Sequence, residues 1–184
     1  PFMRVQHTLG MEERDVVGQW IVKGGETIFQ LGPLAMAMLY GWMYIADEYD
    51  FALPGVSSLY QAVLEGKSLV IKDAPENMRV IAPHPNFRFI ATGNTNGSGD
   101  EHGLYQGTVI GNAANYERFG IVIEVQYMEP TLEAQVLIKQ AGIAKPHAER
   151  LVEFATKVRE SFMAGTLSHT ISPRTLIYAA KLGI

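Results

Sequence analysis

Within twelve residues, "GWMYIADEYDFA" (41–52), the chain turns from a buried strand to a cluster of acids. Trp42–Ala46 carries no charge and reads as strand. Asp47, Glu48 and Asp50 follow within four positions. Carboxylates this close repel, and each needs a cation, a hydrogen-bond donor or water to stay ionised. Two readings meet that need. In one, the strand runs out into a solvated turn. In the other, it ends at the carboxyl edge of a parallel sheet, where open α/β sheets place their ligands, and the acids serve a metal–nucleotide site.

The rest of the composition narrows the classes. At 184 residues, 47% hydrophobic and 18% charged, the chain can bury a core for one domain, or one domain and a small lobe. The formal net charge is −4 and no basic run exceeds two residues. That lacks the electrostatic footprint of a nucleic-acid binder, so no nucleic acid is expected as a partner. There is no cysteine, hence no disulfide or thiolate metal site. A reducing, cytoplasmic setting fits. No apolar stretch approaches the roughly 18 residues a bilayer span needs, and no signal peptide is visible.

Phe2–Gln6 reads as a strand, and Glu12–Gly18 as a polar helical turn. "IVKGGETIFQ" (21–30) reads as a hairpin turning at Gly24-Gly25. Gly32-Pro33 opens an apolar helix that ends near Gly41. Residues 54–66 form a helix with Val56, Leu59, Tyr60, Val63 and Leu64 on one face. A second hairpin is expected over 67–84 and a strand over 87–92. The polar, glycine-rich run 93–108 is too long for a plain connector, and loops of that kind inside a compact domain are usually functional. A short helix (112–119) and a strand, "IVIEV" (121–125), follow. From Pro130 only helices are expected: 131–142, 146–165 and 172–183, the last with Ser172 as N-cap and Pro173 at its first position. His102 lies beside Asp100 and Glu101, but the five histidines show no ligand spacing, so a solvated loop is the reading there.

Four features fall in order along the chain. The 42–46 strand ends in Asp47-Glu48, and the 87–92 strand ends in "ATGN", which puts Asn94 at its carboxyl end. Arg118 stands in "NYERFG" just before the next strand, and the final helix begins "SPR", with Arg174 in its first turn. This order resembles the second half of an AAA+ ATPase module. The hairpins at 21–30 and 67–82 resemble those of the helix-2-insert group, which includes MoxR-type and chelatase-type ATPases. "ADEYDFALPGVSSLYQAVLEGKSL", "PHPNFRFIATGNTNGSGDEHGLYQGT" and "YERFGIVIEVQY" are similar to the ATPase subunits of aerobic cobaltochelatases and their phage-encoded relatives.

The resemblance implies an α/β fold: a P-loop NTPase-type parallel sheet of order 5-1-4-3-2 with inserted hairpins and a C-terminal helical lid. The core would be 1–127 and the lid 128–184. No G-x-x-x-x-G-K-[ST] occurs, so the first strand and its phosphate loop are expected upstream of Phe2. The chain is expected to be a fragment, inactive alone. The resemblance further implies ATP and Mg²⁺, with Asp47 holding the metal through its water shell. Glu48 would polarise the attacking water. Asn94 would be sensor 1, Arg118 an arginine finger and Arg174 a nucleotide-contacting sensor 2. If the strand persists through Asp47 and Glu48, they face opposite sides and do different work. Asp50 is expected to cap the helix that follows.

The function implied is a ring-forming, hexameric motor that remodels a partner. Its partners would be a subunit with a metal-dependent adhesion (VWA) domain and a chelatase large subunit. Two other readings stand beside it: a nonhydrolysing scaffold of such a ring, since the phosphate loop is missing, and a DExD-type helicase, since "DEYD" fits that short pattern. The acidic balance and the "SPR" signature weigh against the helicase.

Overall fold

The computed structural model describes residues 1–95 and 116–183. Most of the glycine-rich run, with His102, and the first half of the expected 112–119 helix lie outside them. The chain divides into two compact units, Pro1–Val122 and Ile123–Ile184.

The first unit is built on a three-stranded parallel sheet of order β1-β4-β7. β1 is Phe2–Gln6, β4 is Met43–Asp47 and β7 is Arg88–Ala91. These are the last three positions of the expected 5-1-4-3-2 order, read from the 2 edge inward. The acid-bearing strand is therefore central, paired from Phe2↔Met43 to Gln6↔Asp47 on one side and from Met43↔Arg88 to Ala46↔Ala91 on the other. Tyr44 and Ala46 on β4 are fully buried. Tyr44 packs against Phe89 of β7 and against Tyr60 of α3 (Pro54–Leu64). That helix buries Val56, Tyr60 and Val63, three members of the face predicted from helical spacing.

Between β1 and β4 a helix is split by a hairpin. α1 (Glu13–Val17) leads into β2 (Gly18–Lys23) and β3 (Glu26–Leu31), and α2 (Pro33–Tyr40) resumes behind them. Gly24 and Gly25 both have positive φ, as a two-residue turn with the twist of a hairpin demands. At the hairpin base Gly32 donates its N–H to the Val17 carbonyl at 2.9 Å. A Cβ on Gly32 would stand 2.3 Å from the Val16 oxygen, so only glycine permits this re-entry. α2 is apolar nearly all round and buries Leu34, Ala35, Ala37 and Met38.

Two expectations change. The second hairpin shrinks to β5 (Leu69–Val70) and β6 (Val80–Ile81), joined by a loop that carries a 3₁₀ turn at Glu76–Met78. The run 121–125 forms no strand: it has no ladder partner among the described residues, and Ile121, Val122, Ile123 and Val125 are all more than 70% exposed. A strand exists only through its neighbour. In the expected order that neighbour is the sheet's first strand, which is not found among the described residues.

The second unit holds three helices: α4 (Pro130–Ala141), α5 (Lys145–Met163) and α6 (Pro173–Leu182). Its core is Leu137, Ala148, Val152, Ala155, Leu176 and Ala180. Ser172 caps α6, its Oγ accepting from the Thr175 N–H at 3.1 Å. Among the described residues no helix is long and apolar enough to cross a membrane.

Candidate functional site at the carboxyl ends of β4 and β7

Parallel pairing sends β4 and β7 in the same direction, so their polar ends meet. Thr92, the residue after β7, makes the junction. Its hydroxyl donates to Asp47 Oδ1 at 2.5 Å and accepts from the Glu48 N–H at 3.2 Å. Its carbonyl accepts from the Tyr49 N–H at 2.8 Å. The other Asp47 oxygen is paired with the Arg4 guanidinium, reaching across from β1. The Thr92 hydroxyl first, and Arg4 with it, holds the Asp47 carboxyl below the usual carboxylate range. The cation beside these acids is Arg4.

Glu48 does not continue the strand. It is the only non-glycine among the described residues with positive φ, at φ 53° and ψ 46°. The left-handed region costs an L-residue roughly 1–2 kcal/mol. The expected strand alternation of Asp47 and Glu48 therefore fails, because the extended backbone stops at Asp47. The Glu48 side chain is instead aimed by Gln6, whose Nε2 donates to Oε2 at 2.9 Å.

Asp50 is also corrected. It does not cap α3, whose N-cap is Leu53 with no side-chain hydrogen bond. The 3₁₀ turn Tyr49–Phe51 folds Asp50 inward, to 3% exposure, under the loop after β7. Its Oδ2 accepts from the Asn94 N–H at 2.9 Å, the Thr95 N–H at 3.1 Å and the Thr95 hydroxyl at 3.3 Å. Asn94 thus sits on the same strand-end edge as Asp47 and Glu48.

A buried polar chain lies beneath. His7, just past β1, is 1% exposed. Its Nδ1 lies 2.9 Å from the Asp47 carbonyl and its Nε2 2.8 Å from the Tyr60 hydroxyl. The Tyr60 hydroxyl lies 2.9 Å from that of Tyr44. A carbonyl only accepts, so Nδ1 carries the proton, Nε2 accepts from Tyr60, and Tyr44 donates to Tyr60. Burial lowers the His7 pKa, raises that of Tyr60, and pushes Tyr44 up to about 12.

Arg118 is also on the first unit, close enough to Tyr49 for its charge to act on the phenol. Its Nε donates to Glu65 Oε1 at 2.7 Å, at the C-terminal end of α3. Its neighbours Tyr116 and Phe119 pack edge-on against Tyr49, with ring centroids 6.1 and 5.7 Å away. Arg174 is exposed in the first turn of α6, on the second unit. The first unit therefore gathers Asp47, Glu48 and Asn94, and pairs Arg118 with Glu65. Arg4, Gln6 and Thr92 were missed from sequence, because their roles depend on strand register that no local pattern reveals.

Among the described residues no group of three or more His, Cys, Asp or Glu could cage a metal. Mg²⁺ seldom needs such a cage, since it keeps several waters and takes one or two carboxylates plus phosphate oxygens. The hard oxygens of Asp47, Glu48 and Thr92 at one strand end fit that donor set.

Comparison with known proteins agrees with this geometry. Residues 1–108 match the family described as AAA domain (dynein-related subfamily), and residues 133–183 match the CbbQ/NirQ/NorQ C-terminal family. The chain is 35% identical to the aerobic cobaltochelatase subunit CobS of Sinorhizobium, over 98% of this chain and 57% of that protein. It is 24% identical to NorQ of Paracoccus denitrificans, over 91% of this chain and 58% of that protein. It is 24% identical to CbbQ of Hydrogenophilus thermoluteolus, over 99% and 64%. The chain thus spans about six-tenths of the length of these relatives. A crystal structure of a candidate ATPase from Cytophaga hutchinsonii superimposes with a TM-score of 0.55 at 21% identity, over 85% of this chain and 46% of that one, a likeness that speaks for the fold. With a match over more than half its length, and with acids and Asn94 gathered where parallel strands β4 and β7 end, this chain belongs to the AAA domain family, dynein-related subfamily.

Proposed function

We propose that the full-length protein hydrolyses ATP with Mg²⁺ and uses the cycle to remodel a partner protein, working as a ring. The observation that carries this reading is the shared edge of β4 and β7, where Thr92 ties Asp47 and Glu48 together. ATP hydrolysis asks a protein mainly for positioning and charge neutralisation, which such an edge can supply.

In this reading Asp47 holds the hydrated ion through its water shell, and the ion when bound neutralises charge on the β- and γ-phosphates. Glu48, oriented by Gln6, accepts a proton from the attacking water. Asn94 fixes that water or the γ-phosphate. Arg118 completes the site of a neighbouring subunit, a contribution of roughly 10³–10⁵ in rate. Arg174 contacts nucleotide from the helical lid. The CobS relative is named as a cobaltochelatase subunit, and that supports a metal-insertion complex, with a VWA-domain subunit and a chelatase large subunit, as one client.

The test is Glu48→Gln in the full-length protein. The amide keeps the shape and the acceptor for Gln6 but cannot take up a proton. Nucleotide binding is expected to stay and steady-state hydrolysis to fall at least about a hundredfold, some 2.7 kcal/mol. Hydrolysis within about threefold of wild type would remove Glu48 from catalysis.

A further inference from the structure

We propose that Asp50 is a positioning residue that locks the Asn94 loop onto the acid-bearing end of β4. It rests on the hydrolysis reading above and adds a residue to that site. Asp50 Oδ2 takes three donors, and all three come from Asn94 and Thr95. One rung back, the Tyr49 N–H binds the Thr92 carbonyl. The turn that carries Asp50 therefore grips the loop after β7 at two successive points, with Glu48 immediately before that turn.

The choice of residue is informative. Asp50 Oδ1 is buried with no hydrogen-bond partner among the described residues. Leaving half of a buried carboxylate idle is costly, and a turn needs no such group for stability alone. What the carboxylate does provide is a single charged oxygen that draws two backbone N–H groups and a hydroxyl to one point. That fixes where Asn94 leaves the sheet. The Asn94 side chain is exposed, and Asp50 holds the residue by its backbone N–H. A displacement of about 1 Å in such a group can lower a rate a hundredfold.

The experiment compares wild type, Asp50→Ala, Asp50→Asn and Glu48→Gln in the full-length protein, by ATPase kinetics and by hydrogen exchange of the Asn94 and Thr95 amides. Asp50→Ala is expected to lower kcat at least about tenfold with KM for ATP within about threefold, because an orienting contact is lost and no phosphate contact is. The two amides should lose protection in the same variant. Asp50→Asn keeps one carbonyl oxygen for the same donors and should recover part of both. Should Asp50→Ala fail to fold, Thr95→Val removes one donor and should shift kcat in the same direction.

Unchanged kcat in Asp50→Ala, while Glu48→Gln is inactive, overturns the role of Asp50 and leaves the hydrolysis reading intact. Persistent hydrolysis in Glu48→Gln overturns the catalytic reading instead. Amides that stay protected in Asp50→Ala overturn the lock under either result. Equal losses in kcat and thermal stability that Asp50→Asn does not recover would reduce Asp50 to a structural residue.

Discussion

Glu48 and His7 show how single residues here take on unusual states because neighbours compensate. Glu48 keeps its left-handed backbone because Thr92 and Gln6 bind it at both ends. Strain of this kind persists where surrounding structure over-determines it, often at functional sites. His7 is buried as the neutral tautomer, and burial lowers its pKa. A histidine that resists protonation when folded contributes stability fully above the unfolded pKa, about 6.5. That contribution is lost as pH falls toward the depressed folded pKa, because the unfolded chain binds the proton first. Stability is expected to drop between pH 7.5 and 5.5, and His7→Gln should flatten that slope, as urea denaturation at the two pH values will show. An equal slope in the variant would assign the loss to other groups. At this scale the sequence reveals Asp47 and Glu48, because acids ending an apolar run stand out. It hides Arg4, Thr92 and His7, whose partners are some forty or more positions away and are selected by strand register.

Among the elements, those with local punctuation were legible. Gly24-Gly25 turns the first hairpin and Ser172-Pro173 starts α6, each by a rule that needs only adjacent residues. The run 121–125 and the second hairpin were misjudged for the opposite reason, since strand length is decided by the ladder partner. α5 holds a further surprise on its buried face. Arg159 is buried there and forms a fork with Glu133 of α4, at 2.7 and 2.8 Å. Its Nε donates to the Ile171 carbonyl, and its guanidinium lies 4.1 Å from the Tyr127 ring centroid. All three guanidinium nitrogens are engaged, and one face lies against a ring. Glu133→Ala would strand it, at a cost of about 3–5 kcal/mol. Replacing both partners together, as Glu133→Leu with Arg159→Met, should cost less than Glu133→Ala alone. Chemical denaturation of the single and double variants checks the order, and a double variant weaker than the single would refute it.

At the scale of the whole molecule the proposed ring makes Arg118 the informative residue. Full-length Arg118→Ala and Glu48→Gln are each expected to be silent. Mixed, they form some interfaces where an intact Glu48 meets an intact Arg118 from the next subunit, and hydrolysis should return. Silence despite proven co-assembly would place Arg118 in a cis or structural role, as its ion pair with Glu65 already permits. The stretch 121–125 has a different bearing on handling the protein. It sets four β-branched residues, broken only by Glu124, in water with no ladder among the described residues. Short, β-prone, weakly charged segments of this kind seed intermolecular sheets. Residues 1–184 on their own should therefore be sticky, and Glu124 is the sole gatekeeper within the run. Any preparation that hides this stretch beneath a neighbouring strand will behave better at high concentration than one that leaves it bare.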